Sequence, residues 1–168
     1  MKGFLTVFCI ASLLTAPSLS LAHPHFNKSV NTTLPSGAEA TIAYQTVPSN
    51  EAHATGAAVG SFITPRNPSL TLSAEVMAGS VTVPAGEYTI GVIKNGDADW
   101  TMALYKGTPP RGAEPDMSQM IKLDSMYSTD QGTSEHLLID ITPGHGEFEG
   151  KSVLTLHFGS MHLAGALS

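Results

Sequence analysis

Apolar and polar residues alternate with a period of two in many short stretches of this sequence, and no stretch keeps a 3.6-residue periodicity over three turns. In residues 70–76, for example, the apolar Leu70, Leu72, Ala74 and Val76 alternate with three polar residues. Because successive side chains of a strand point to opposite faces, this pattern is typical of a sheet with one buried and one solvated face. It predicts an all-β fold, an antiparallel β-sandwich of roughly nine to ten short strands.

Gly, Pro, Asn and Asp separate the alternating stretches and set the limits of the predicted strands. These strands are residues 30–34, 40–46, 69–76, 80–83, 88–94, 99–105, 121–125, 137–142, 152–158 and 161–167. Asn95-Gly96 lies between two of them, and its tolerance of positive φ predicts a hairpin.

Other segments of the chain do not fit strands. Residues 48–60 are predicted to form a loop or one helical turn begun by Ser49 or Asn50. Residues 107–117 contain three prolines and are predicted to form a loop, followed by a short helix that Asp116 caps.

The first residues have the order of a secretory signal peptide. Lys2 is the basic residue, residues 4–14 are the apolar region, and small Ser20 and Ala22 occupy the cleavage positions. We therefore expect residues 1–22 to be removed, and residues 23–168 to form a single domain that is periplasmic or secreted. The apolar region is too short to span a bilayer, and no later stretch approaches 18 uninterrupted apolar residues, so no membrane span is predicted.

Charge and cysteine content narrow the classes of partner. The chain has a net charge of −6, and because Lys2 is the only charged residue before His23, residues 23–168 carry −7. Nucleic acids and anionic membranes bind clustered Lys and Arg, whereas the basic residues here are spread singly along the chain, so neither is expected as a partner. The only cysteine, Cys9, is lost with the leader, so the mature chain has no disulfide. We therefore expect the partner to be a ligand or a protein, neither of which the sequence identifies.

Cleavage after Ala22 would leave His23 as the first residue, and this suggests copper. Its α-amine and imidazole can chelate one Cu(II) ion, which favours tetragonal nitrogen ligands. His25, His53 or a more distant histidine could supply a third ligand. Pro24 has no N–H to lose, so the amino-terminal motif that uses deprotonated backbone amides is excluded. The alternative is that residues 23–27 are simply a frayed terminus after the cleavage site.

A second candidate metal pair lies near the carboxyl end. One register of the strands 137–142 and 152–158 places His136 opposite His157, about 5 Å apart between Cβ atoms, where two imidazoles could share a metal. His162 is a candidate third member of this site. A register shifted by two residues separates the two histidines, which are then only exposed residues on the polar face of the sheet. His145, in a glycine-rich loop, is expected to be exposed to solvent.

Motifs of known enzyme classes are missing from this sequence. It has no Gly-x-Ser-x-Gly elbow, no His-Glu-x-x-His pair, no phosphate loop and no dinucleotide fingerprint. We therefore expect a protein without catalytic activity.

Three segments together resemble a known family. They are residues 65–72 (Pro-Arg-Asn-Pro-Ser-Leu-Thr-Leu), residues 80–91, with Pro-Ala-Gly-Glu-Tyr at their centre, and residues 99–102 (Asp-Trp-Thr-Met). With the apolar hairpin and last strand of residues 135–167, they resemble an exported bacterial family catalogued only as domain-of-unknown-function family 2911. The resemblance implies a β-sandwich and an exported location, and it transfers no catalytic residue.

Together these observations predict an exported, non-catalytic β-sandwich protein of the bacterial cell envelope that acts as a binding or interaction module. The alternative is a periplasmic copper(II)-binding protein that uses His23, with copper as its only candidate cofactor.

Overall fold

The computed structural model describes residues 25–168. In this part of the chain there are thirteen strands, one short α-helix and two 3₁₀ turns. In chain order the elements are β1 (Asn27–Thr33), β2 (Glu39–Gln45), α1 (Glu51–Thr55), β3 (Phe62–Ile63), β4 (Ser69–Leu72), β5 (Val76–Ala78), β6 (Val81–Val83), β7 (Gly86–Gly96), β8 (Asp99–Lys106), β9 (Met120–Lys122), β10 (Met126–Ser128), β11 (Ser134–Pro143), β12 (Ser152–Gly159) and β13 (Met161–Leu167), with 3₁₀ turns at Met117–Gln119 and Gly146–Phe148.

The strands form antiparallel sheets, and the predicted all-β fold is confirmed. The first sheet has the order β1-β2-β4-β7-β8-β9, and β3 also pairs with β7. The second has the order β10-β13-β12-β11, and β5 and β6 form a small third sheet. The architecture is consistent with a β-sandwich, with more strands and one more sheet than predicted.

The extra strands arise mainly where the chain changes sheets. The predicted strand 69–76 ends at Leu72, and the next residues carry the chain to the end of the second sheet. There Met77 and Ser168 exchange two backbone hydrogen bonds of 2.8 and 2.9 Å. The predicted strand 121–125 is a strand only up to Lys122, in β9, and neither β10 nor β3 was predicted.

Apolar side chains from the two large sheets meet in one buried cluster. Ile42, Leu70 and Trp100 are fully buried on the first sheet, as are Leu137 and Leu154 on the second. Each such side chain contributes about 1.5–3 kcal/mol when it leaves water. Among residues 25–168, no helix combines the length and the hydropathy that a membrane crossing requires.

The hairpin between β7 and β8 forms where predicted, but by a different turn. Lys94 pairs with Trp100 and Gly96 with Asp99, so the turn residues are Asp97 and Ala98. Gly96 does not have a positive φ, so the reason given from the sequence is wrong. The Asn95 amide instead donates to Thr101 Oγ1 at 2.8 Å and holds the hairpin from its side.

The two helical turns predicted from capping residues are confirmed. Asn50 caps α1 by accepting from the backbone N–H of His53. Asp116 caps the 3₁₀ turn that precedes β9, accepting from Ser118 N at 2.9 Å. The Pro-Ala-Gly segment also acts structurally, since β6 ends at Val83 just before it and the Tyr88 hydroxyl donates to the Pro84 carbonyl at 2.8 Å.

Residues 64–68 form a bulge beside one edge of β7. β3 pairs with this edge before the bulge, and β4 pairs with it after the bulge. Pro65 and Pro68 lie between these two strands, and proline cannot donate to a sheet ladder. The two residues between the prolines, Arg66 and Asn67, have φ angles of 61° and 48°, which is unusual for residues other than glycine. Opposite the bulge, Gly91 lets the Phe62 ring and the β3 backbone approach β7 more closely than a Cβ would allow. The bulge pushes Arg66 out of the sheet, where it is exposed.

Candidate functional site

A pocket of about 580 Å³ opens between the two large sheets at one end of the sandwich. Its volume is typical of pockets that bind small molecules, which range over about 300–1,000 Å³. The second sheet supplies most of its apolar wall, and the first sheet supplies the opposite side. The wall residues of the two sheets are Leu137, Leu156, Phe158, Met161 and Leu163, and Ile63 and Val92. At this end of the sandwich the two sheets leave a space between these side chains.

Polar side chains lie around this apolar pocket. They are His25, Asn50, His53, Thr64 and Arg66, and they come from the first described residue, the segment around α1 and the bulge. An apolar interior with a few polar groups is the arrangement that orients a small ligand in a binding site.

His25 is held in place by strand pairing that continues beyond β1. Phe26 and Thr46 exchange hydrogen bonds, and His25 Nδ1 lies 3.1 Å from the Thr46 carbonyl oxygen. Since a carbonyl can only accept, Nδ1 carries a proton, and in the neutral ring the Nε2 lone pair is left for another partner. A histidine fixed by a backbone carbonyl in this way is typical of metal ligands.

The segment that contains α1 forms one wall of the pocket and is tied to both sheets. The Glu51 carboxylate accepts from Ser160 N at 2.6 Å and from Ser160 Oγ at 2.9 Å, which joins α1 to the turn between β12 and β13. On the other side, buried Lys94 of β7 donates to the carbonyls of Thr55 at 2.6 Å and Ala57 at 3.2 Å. The wall is therefore held at two points.

Of the registers that the sequence left open, the structure has one that separates His136 from His157, so the candidate pairing of these two histidines is wrong. Leu138 lies opposite His157, because the register of β11 shifts between Ser134 and Leu138. Within this irregular stretch the Ser134 hydroxyl donates to the His136 carbonyl at 2.6 Å, and the backbone of His136 forms an isolated antiparallel β-bridge with Pro48. The register differs by two residues from the one that would join the two imidazoles.

His162, not His136, is the neighbour of His157. The two residues pair across β12 and β13, and their rings meet edge to face with centroids 5.4 Å apart. Burial lowers the pKa of His162, the nearby His157 lowers it further, and Asp130 opposes this in part. Within the described part of the chain, no three His, Cys, Asp or Glu side chains form a group that could hold a metal ion.

Two further predicted histidines have contrasting positions. His53 is exposed and lines the pocket from α1. His145 is exposed beside the 3₁₀ turn of the β11–β12 connection, as expected. His23, the proposed copper chelator, lies outside the described residues.

Arg66 is the residue of the site that the sequence did not reveal. Pro65 and Pro68, on either side of Arg66, cannot donate to a sheet ladder, and they were the available signal that strand pairing is interrupted there. The sequence does not show which strand lies opposite this interruption, or that a pocket lies beside it, because both depend on pairing between distant segments.

Comparisons of this chain with models of known protein families, with curated proteins and with solved structures gave no significant match. Membership of domain-of-unknown-function family 2911 therefore stays a prediction.

Proposed function

We propose that this protein is an exported, non-catalytic binding module of the bacterial cell envelope, and that the pocket between its sheets holds the apolar part of a small molecule. The observation that carries the proposal is the pocket itself, with its apolar interior and its polar groups. Export rests on the leader in residues 1–22, which lie outside the described residues.

The exposure of two wall residues supports this assignment. Ile63 and Phe158 are only half-buried against the core, and both line the pocket. An apolar ligand would cover surface that the two sheets leave uncovered, at a gain of about 25 cal/mol for each Å² removed from water. Because the wall is tied to both sheets through Glu51 and Lys94, the pocket needs little ordering before a ligand enters.

The test is binding of the neutral dye N-phenylnaphthylamine, whose fluorescence rises in apolar surroundings. The purified mature protein should enhance it saturably. Ile63→Trp places a large ring in the pocket and should abolish the enhancement. Ile121→Trp is the matched control, since Ile121 is also half-buried against the core but does not line the pocket, and this variant should bind the dye normally.

Circular dichroism of both variants checks that they are folded. Equal loss of dye binding in two folded variants would place the dye elsewhere, and absence of saturable binding to the unmodified protein would refute the proposal.

A periplasmic copper(II)-binding protein is the second candidate. It is favoured by the shared position of His25 and His53 in the lining of one pocket, with the His25 Nε2 lone pair available, and by His23 two residues earlier in the chain. The α-amine and imidazole of His23 would complete the nitrogen set that Cu(II) favours.

Copper binding has its own test. Mass spectrometry of the exported protein should give His23 as the first residue, and spin resonance of the Cu(II) complex should report several nitrogen ligands. His25→Ala should change this spectrum, whereas His157→Ala, on the outer face of the second sheet, should not. A spectrum that responds only to His157→Ala would assign the copper to the pair of His157 and His162.

A further inference from the structure

A basic cleft lies beside the pocket, and Arg66 lines both. The cleft has a volume of about 680 Å³, and its walls come from the ends of β1 and β2, from the bulge and from the loop before the 3₁₀ turn of residues 117–119. Three basic residues line it: Lys28, Arg66 and Arg111. These include both arginines of the chain.

The charge of the cleft contrasts with that of the rest of the protein. Residues 25–168 contain 14 acidic and 7 basic side chains, yet the cleft lining has three basic residues and no acidic one. In the described part of the chain, none of Lys28, Arg66 and Arg111 forms an ion pair with a carboxylate. Three positive charges around one cleft repel one another unless an anion lies between them.

The backbone presents Arg66 in a fixed position. Thr64 Oγ1 donates to the Ile90 carbonyl at 2.8 Å on one side of the bulge, and Ile90 N donates to the Pro68 carbonyl at 2.7 Å on the other. Between these anchors, Arg66 and Asn67 have the left-handed conformation. Bulges that redirect one side chain, and strained residues that the surroundings hold in place, both occur often at functional sites.

We infer that the ligand is an amphipathic anion, with its apolar chain in the pocket and a carboxylate or phosphate head group in the cleft. The inference rests on the proposed function, because it needs the pocket to hold the chain. Arg66 joins the two parts, since its guanidinium can bind an oxyanion with two parallel hydrogen bonds while its aliphatic stem lies along the apolar wall. Lys28 and Arg111 add positive charge on the far side of the head group.

The experiment compares decanoate with decanol by isothermal titration calorimetry. The two share an apolar chain and differ in the charged head group. The unmodified protein should bind decanoate about tenfold more tightly than decanol, and salt should weaken decanoate binding only. Arg66→Gln should remove most of this preference, because it should weaken decanoate binding far more than decanol binding. The control Lys151→Gln removes an exposed charge that lines neither cavity and should preserve the preference.

The outcomes separate the two proposals. If decanol binds and decanoate binds no more tightly, the pocket stands as a binding site and the anionic head group is refuted. If neither compound binds, the proposed function fails and the inference fails with it. Arg111→Gln gives an independent check, because it should reduce the preference for decanoate without touching the pocket. Decyl phosphate in place of decanoate then tells which head group the cleft favours.

Discussion

Replacing Lys94 by Met should destabilise the protein and loosen the α1 wall of the pocket. Lys94 is only 5 % exposed, and its ammonium donates to the carbonyls of Thr55 and Ala57. It also lies 3.2 Å from the Asp97 carboxylate and 5.9 Å from the centre of the Trp100 ring. The substitution removes the charge and both donors but keeps an apolar stem of similar length.

Two opposing effects set the size of the change. Hydrogen bonds from a charged donor contribute about 1.5–3 kcal/mol each. Burying an ammonium costs part of this gain, and Met avoids that cost. The two freed carbonyls lie in a partly exposed segment and can bind water, so the full penalty of an unpaired group does not apply. We expect a net loss of about 2 kcal/mol in the free energy of unfolding, which lowers the melting temperature by about 4–8 °C.

The assay is urea unfolding together with amide hydrogen exchange. Exchange should accelerate at Gly56 and Ala57, which close the last turn of the α1 segment, and should change little at Gly60. The Gly60 amide donates to the Lys94 carbonyl, which the substitution leaves in place.

The control for Lys94→Met is Asp97→Asn. The Asp97 side chain is fully exposed, so its ion pair with Lys94 is screened by solvent, and we expect no measurable change in stability. A loss as large as that of Lys94→Met would mean that the ion pair, and not the pair of carbonyl bonds, anchors the segment. An unchanged urea midpoint in Lys94→Met would refute the reasoning altogether.

Three further predictions concern glycine strain, a buried hydroxyl and a histidine. Gly159→Ala should lower the melting temperature more than Gly150→Ala. Both glycines have positive φ, which costs another residue about 1–2 kcal/mol, but only at position 159 would the new Cβ collide with a carboxylate. Tyr88→Phe should cost about 1 kcal/mol in urea unfolding, because the Pro84 carbonyl loses the Tyr88 hydroxyl that donates to it. Folding lowers the pKa of His162, so the unfolded chain binds the proton more readily and stability should fall as the pH drops below about 6.5. His162→Asn should flatten this pH dependence in thermal melts between pH 5 and 7. An unchanged slope would show that His162 is not its source.

The sequence was most informative where one local rule decides the structure. Alternation placed β11, β12 and β13 nearly as the structure has them, since Leu137 and Ile139 are buried while Leu138 between them is exposed. Capping residues predicted the short helical turns at Asn50 and Asp116 because a cap acts on its nearest neighbours.

Predictions failed where long-range pairing decides. The inward faces of β11 and β12 restrict their register to steps of two residues, and they cannot choose between the register that joins His136 to His157 and the one that separates them. The choice depends on the irregularity between Ser134 and Leu138, for which residues 134–138 carry no Gly or Pro signal. His162, named from the sequence only as an additional candidate, lies opposite His157 because a two-residue turn at Gly159 and Ser160 joins their strands.

The basic cleft shows why charge spacing along a chain is a poor guide to charge in space. Lys28, Arg66 and Arg111 are separated by about 40 residues each, and a scan along the sequence finds them isolated. In an antiparallel sheet, however, the neighbours of a strand come from distant parts of the chain, and loops from both sides can meet at one edge. The net charge argues against partners that need a broad basic surface, such as nucleic acid, but it does not argue against one small anion. The prolines around Arg66 are the link between sequence and site, because by interrupting the ladder they turn a strand residue into an exposed guanidinium beside an apolar pocket.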